Sequence, residues 1–260
     1  QPTSNCNQTV TVTFTATDAC GNMATSTKSF SVNDITKPVI TLPAGQLSME
    51  CFNSATVKAW TDQASAIDNC SGSVSVTATY QAPVNNCNQN VTVTFTARDA
   101  CGNTATATKS FNVNDITPPL VSVPSSPLTM TCFDAATVTA WSNQASAIDN
   151  CSGPVQVIAS YNPPTGNCNQ TIVVTFTARD ACNNVSTAVS SFVVNDNIAP
   201  VITVPSAAIT LQCFDPLAVK VWTDQAVAVD NCNGTVSVTA SYVAPTVNCN
   251  QSVTVTFTAR

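Results

Sequence analysis

Residues 91–97 read Val-Thr-Val-Thr-Phe-Thr-Ala, with Val91, Val93, Phe95 and Ala97 at every second position and threonines between. Alternation at period two with β-branched residues is the signature of a half-buried strand. Val91, Val93, Phe95 and Ala97 then share one face, and Thr92, Thr94 and Thr96 the other. Further runs of this kind are Val39–Leu42, Gln46–Cys51, Val74–Tyr80 and Thr104–Val113, the last with Phe111 and Val113 in phase. Antiparallel strands with one wet face predict a two-sheet sandwich. One segment breaks the alternation. Phe214-Asp215-Pro216-Leu217-Ala218-Val219-Lys220-Val221-Trp222 offers an N-cap Asp, a Pro at the first helical position, and Val219 and Trp222 at i, i+3. Asp134 and Asn53 stand at the same cap position ahead of Trp141 and Trp60. One short helix per repeat is expected, with residues 216–222 helical and Trp222 buried.

The pattern recurs. Cys51 and Cys132, Cys70 and Cys151, Cys87 and Cys168, and Cys101 and Cys182 are each 81 residues apart. Cys213, Cys232 and Cys249 follow at the same interval, and Cys6 and Cys20 precede Cys87 and Cys101 by it. The chain is a tandem array without insertions, which overrides the single-domain expectation from 260 residues. The segments are 1–34, the later part of a repeat; 35–115 and 116–196, two full repeats; and 197–260, the earlier part of another. Gln1 aligns with Ala82 and Arg260 with Arg98 and Arg179, so the sequence reads as a stretch of a longer array. The linkers 34–38, 115–119 and 196–200 are glycine-free and end in proline, which fixes φ and restricts its predecessor. They predict an extended rod.

All 16 aromatic residues fall on five repeat positions: Phe14/95/176/257, Phe30/111/192, Phe52/133/214, Trp60/141/222 and Tyr80/161/242. None is left over for a pocket specific to one copy, so the five positions read as core. Composition narrows function further. Charged residues make up 8% and the net charge is −6, with no basic cluster, so nucleic acid is not a partner. No apolar run approaches eighteen residues, so no transmembrane segment is expected. There is no histidine, which removes Ser-His-Asp and Cys-His nucleophile activation. No paired catalytic carboxylates and no Gly-rich phosphate loop occur. No catalysis is expected.

The 13 cysteines form no C-x₂-C pair, so zinc is disfavoured and disulfides are expected. Cys87 and Cys101 flank one strand and stand more than about 20 Å apart, beyond the roughly 7 Å limit of a bridge. Strands 74–80 and 91–98 should form a hairpin, with Cys70 and Cys101 at its open end and Cys87 left for Cys51. The expected bridges are Cys70–Cys101, Cys51–Cys87, Cys151–Cys182, Cys132–Cys168 and Cys213–Cys249. Such density implies an oxidising, extracellular setting.

Val93 to Ala105, running on to Asn114-Asp115-Ile116-Thr117-Pro118-Pro119, resembles the hyalin-repeat family, whose pattern is VTFTATDxxGN followed by D-x-T-P-P. Asp68-Asn69-Cys70-Ser71-Gly72 is similar to the DNC motif of cysteine-bearing versions in long surface proteins of Bacteroidota. The resemblance implies an immunoglobulin-like fold and an extracellular adhesive or structural stalk. Its partners would be neighbouring repeats, further copies in a fibre, or cell-surface ligands. A glycan- or protein-binding module and an accessory region of a secreted enzyme are the alternatives.

Acidity is almost all Asp, with Glu50 the one glutamate, and three positions recur: Asp18/99/180, Asp34/115/196 and Asp68/149/230. Calcium takes six to eight oxygens, several from carboxylates. Asn195-Asp196-Asn197-Ile198-Ala199-Pro200 also resembles the linker of calcium-binding cadherins. The competing reading makes these nine residues turn and Asx caps.

Overall fold

The threonine-alternating runs are strands in the computed structural model, which describes residues 4–247 and 250–260. β1 (Gln8–Thr17) and β2 (Met23–Val32) form an antiparallel hairpin, paired from Gln8–Val32 to Thr17–Met23. The first full repeat holds β3 (Val39–Thr41), β4 (Ser48–Met49), α1 (Ser54–Thr61), β5 (Ser65–Asp68), β6 (Gly72–Val74), β7 (Val76–Thr79), β8 (Gln89–Arg98) and β9 (Thr104–Val113). The next repeats the order as β10 (Leu120–Ser122), β11 (Leu128–Met130), α2 (Ala135–Ser142), β12 (Ser146–Asp149), β13 (Gly153–Val155), β14 (Val157–Ser160), β15 (Gln170–Arg179) and β16 (Val185–Val194). Then come β17 (Val201–Thr203), α3 (Pro216–Thr223), β18 (Val227–Asp230), β19 (Gly234–Val236), β20 (Val238–Ser241) and β21 (Thr256–Ala259).

Each full repeat is an all-β, immunoglobulin-like sandwich. In the first, a sheet ordered β3-β5-β6 faces one ordered β4-β9-β8-β7. β4 runs parallel to β9 and the other pairs are antiparallel. The second uses β10-β12-β13 and β11-β16-β15-β14. β7 and β8 make the expected hairpin, with Val76 opposite Ala97. Along β8, Val91, Val93, Phe95 and Ala97 are buried, while Asn90, Thr92 and Arg98 face water.

The helices start where their caps predict. The Asn53 side chain accepts the Ala55 and Thr56 N–H groups, Asp134 those of Ala136 and Thr137, and Asp215 that of Leu217. These bonds satisfy donors that the first helical turn leaves without partners. Val57 and Trp60 then enter the core formed by Val93, Phe95, Phe111 and Val113. Trp60 meets Phe95 and Phe111 edge-on at 6.1 and 6.3 Å, and Trp141 meets Phe176 and Phe192 at 5.9 and 6.4 Å.

The five aromatic positions are therefore core in the two full repeats, but not everywhere. Trp222 is half-buried rather than buried. Among the described residues its one ring contact is Phe257, at 6.0 Å. A groove of about 650 Å³ lies there, lined by Phe214, Val219, Trp222 and Tyr242 among others. Conversely, Phe14 and Phe30 on the β1–β2 hairpin are 60% and 51% exposed.

Contacts divide the chain into two units. One comprises residues up to Pro118 together with Asp149–Gly153 and Asp180–Asn184. The other comprises Pro119–Ile148, Pro154–Arg179 and Val185–Arg260. The turns 149–153 and 180–184 thus belong with the preceding repeat rather than with their own strands. Among the described residues no helix is long and apolar enough to cross a membrane.

Candidate functional site

Three Asp-led elements build the site. The tight turn between β5 and β6 reads Asp68-Asn69-Cys70-Ser71, and Gly72 follows at φ +72°. Oδ1 of Asp68 accepts the N–H groups of Cys70 and Ser71 at 3.0 and 2.8 Å. In the turn between β8 and β9, Oδ1 of Asp99 accepts those of Cys101 and Asn103 at 2.9 and 2.8 Å. Asn103 donates its side-chain amide to Oδ2 of Asp99 at 2.7 Å and to the carbonyl of Asp34 at 3.1 Å. Asp34 follows β2, and its Oδ1 accepts Thr36 N–H at 3.0 Å.

These elements bring Asp34, Asp68 and Asp99 together, with one carboxylate oxygen from each within 4.8 Å of the others. The group recurs as Asp115, Asp149 and Asp180. There Thr117, Cys151, Ser152, Cys182 and Asn184 donate in the same places, and the Asn184 amide reaches the Asp115 carbonyl at 3.1 Å. All six residues are only 3–7% exposed. Oδ2 of Asp34, Asp68, Asp115 and Asp149 is buried without a hydrogen-bond partner. Burial raises the Asp115 carboxyl above its ordinary value, and the charges of Asp149, Asp180 and Glu50 push the same way against the bond from Thr117.

The remaining acidic candidates behave differently. Asp196 and Asp230 lie together beside Cys232, with Asp196 only partly buried. Asp18 is exposed, and its carboxylate is held by the side chain and backbone of Asn22, which keeps its pKa low. Asparagines at two repeat positions were missed from sequence. Asn103 and Asn184 orient the Asp99 and Asp180 carboxylates. Asn86 ties a strand end to the junction, because its Oδ1 accepts Phe52 N–H at 2.8 Å and its carbonyl accepts Asp115 N–H at 2.8 Å. Their signal was available, since each recurs at the 81-residue period.

The disulfides correct the expected pairing. The bridges are Cys6–Cys101, Cys51–Cys151, Cys87–Cys182 and Cys132–Cys232, with sequence separations alternating between 95 and 100. Cys70–Cys101, Cys51–Cys87, Cys151–Cys182 and Cys132–Cys168 do not form. Cys20, Cys70, Cys168 and Cys213 are free and exposed, while Cys249 of the expected Cys213–Cys249 bridge lies outside the described residues. The hairpin underlying that expectation exists, yet Cys70 sits in a turn of the opposite sheet, between β5 and β6. Within a repeat, Cys51 and Cys87 stand at the end carrying Asp115, and Cys70 and Cys101 at the end carrying Asp34. Each pair therefore meets the turns of an adjacent repeat, with Cα atoms 5.0–5.1 Å apart, inside bridging range.

Over 232 residues, 85% of this chain, the sequence is 30% identical to hyalin of Strongylocentrotus purpuratus, spanning 19% of that protein. Over 212 residues, 76% of this chain, it is 32% identical to hyalin of Lytechinus variegatus, spanning 39% of that protein. The chain is thus similar to hyalin over most of its own length. No family model matches it. The chain spans less than two thirds of the length of either relative. The four disulfides among the described residues fit an oxidising, extracellular compartment.

Proposed function

We propose that this is a non-catalytic extracellular array, adhesive or structural, built from the segments 1–34, 35–115, 116–196 and 197–260 and clasped covalently from repeat to repeat. The observation that carries the reading is the pair Cys51–Cys151 and Cys87–Cys182. Both bridges span the linker 115–119, so tension along the chain passes through sulfur–sulfur bonds instead of the linker backbone. In the chain-entropy account, closing one loop of about 100 residues stabilises the folded chain by about 4–5 kcal/mol. Domains of some 80 residues have small cores and gain most from such staples.

The similarity to hyalin supports an adhesive role over an enzymatic one. A ligand-binding module would need aromatic platforms on its surface. In the full repeats Phe95, Phe111, Phe176 and Phe192 are buried, as are Trp60 and Trp141.

Single-molecule pulling of the oxidised chain tests the clasp. The bridged loops overlap and together cover residues 6–232. They should stay locked until reductant is added, after which at most about 750 Å of new length appears in total. Equal extension of the oxidised and reduced chains would remove the load-bearing reading.

A further inference from the structure

The acid triads are built more strongly than caps require. A turn cap uses one carboxylate oxygen, and Oδ1 does that work in Asp34, Asp68, Asp99, Asp115, Asp149 and Asp180. The second oxygen has no such duty. In Asp99 and Asp180 it is oriented by the Asn103 and Asn184 amides, each at 2.7 Å. In Asp34, Asp68, Asp115 and Asp149 it is buried with no partner. Leaving a carboxylate oxygen dry and unpaired is costly, and gathering three carboxylates multiplies the repulsion. A positive charge among them removes both penalties.

We propose that Asp34, Asp68 and Asp99 hold one divalent cation of the calcium type, and that Asp115, Asp149 and Asp180 hold a second. The gathered aspartates offer only oxygen, which suits a hard cation. Calcium–oxygen bonds of about 2.3–2.6 Å place opposed ligands nearly 5 Å apart. Oxygens within 4.8 Å of one another therefore fit around one ion. Magnesium demands near-octahedral geometry and gives up its waters reluctantly, so it should bind these turns less well.

Each triad takes one aspartate from the end of a repeat and two from the turns of the next, the turns that also carry the bridging cysteines. The ion thus ties together the same elements as the disulfides. The group at Asp196 and Asp230 is weaker. Its third member, Cys232, is bonded to Cys132 and offers no thiolate. Two ions per chain follow. The inference does not rest on the adhesive reading, because ion binding is measured directly.

The test is calorimetric titration of the oxidised 260-residue chain, stripped with chelator, using calcium chloride and, separately, magnesium chloride. Two calcium sites should appear, with weaker binding of magnesium and a higher melting temperature in calcium. D68N and D149N keep the Oδ1 acceptor for the turn but lose the carboxylate charge. Each should reduce the stoichiometry from two to one, while D18N should leave it at two. Peptide mapping of the four bridges verifies that each variant has folded. Absence of calcium heat and of a melting shift in the parent chain overturns the proposal. So does unchanged stoichiometry in correctly bridged D68N and D149N.

Discussion

Phe30 and Phe111 occupy one repeat position, 81 residues apart, and their surroundings decide what each contributes. Phe111 is fully buried among Trp60, Tyr80 and Phe52, with ring centroids at 6.3, 5.7 and 6.4 Å. Phe30 is 51% exposed. F111A should destabilise its sandwich by about 3–5 kcal/mol. Hydrogen exchange read on β8–β9 checks this, because an array of repeats does not unfold as one two-state unit. The aspartates teach the same lesson atom by atom. Their recurrence was visible in the sequence and the cap role of Oδ1 followed from local turn chemistry. The convergence of carboxylate oxygens from residues 65 positions apart, such as Asp34 and Asp99, was not.

The helices were legible as elements because capping is local. Asn53, Asp134 and Asp215 each stand just before the first turn and bond within three residues. N53A should cost α1 about 1 kcal/mol, seen as faster amide exchange at Ala55 and Thr56. Asp134 adds a pH dependence. The Thr137 hydroxyl, then the Ala136 and Thr137 N–H groups, stabilise its carboxylate and lower its pKa. Its stabilisation is present above the unfolded-state pKa and is lost as pH falls through the lowered folded-state value. Protection of the first turn of α2 should therefore decline on acidification, and D134N should flatten that decline. The turn between β8 and β9 sets another local limit. Gly102 has φ +92°, and the corresponding residue of the next repeat is Asn183 at φ +72°. G102N should be tolerated far better than G102V, since Asn enters this left-handed region readily and a β-branched residue does not.

At the scale of the molecule, the bridges give the sharpest expectation. Non-reducing peptide mapping should recover Cys6–Cys101, Cys51–Cys151, Cys87–Cys182 and Cys132–Cys232. A recovered Cys70–Cys101 peptide would contradict them. Alkylation of the native chain should mark Cys20, Cys70, Cys168 and Cys213 among the described cysteines. Burial, followed by the charges of Asp34 and Asp68, pushes the Cys70 thiol up. Its labelling should be slow at pH 8 and accelerate as pH rises, because the thiolate is the reactive form. A Cys70 that labels at full speed at pH 8 would show that its surroundings do not hold the thiol up.

The sequence alone determined the 81-residue period, the alternating strands, the capped helices and the aromatic core positions. Each rests on residues adjacent in the chain or repeated along it. Tertiary structure decided the rest. Four cysteines per repeat are equally spaced whether they pair within a repeat or across two, and only the placement of turns against the next strand ends selects the second. Burial likewise depends on which strands are present to cover a ring, so Trp60 and Trp222 differ despite identical positions. The acid triads formed for the same reason. Elements remote in sequence meet at one end of a sandwich, and no local pattern specifies where three carboxylates will converge.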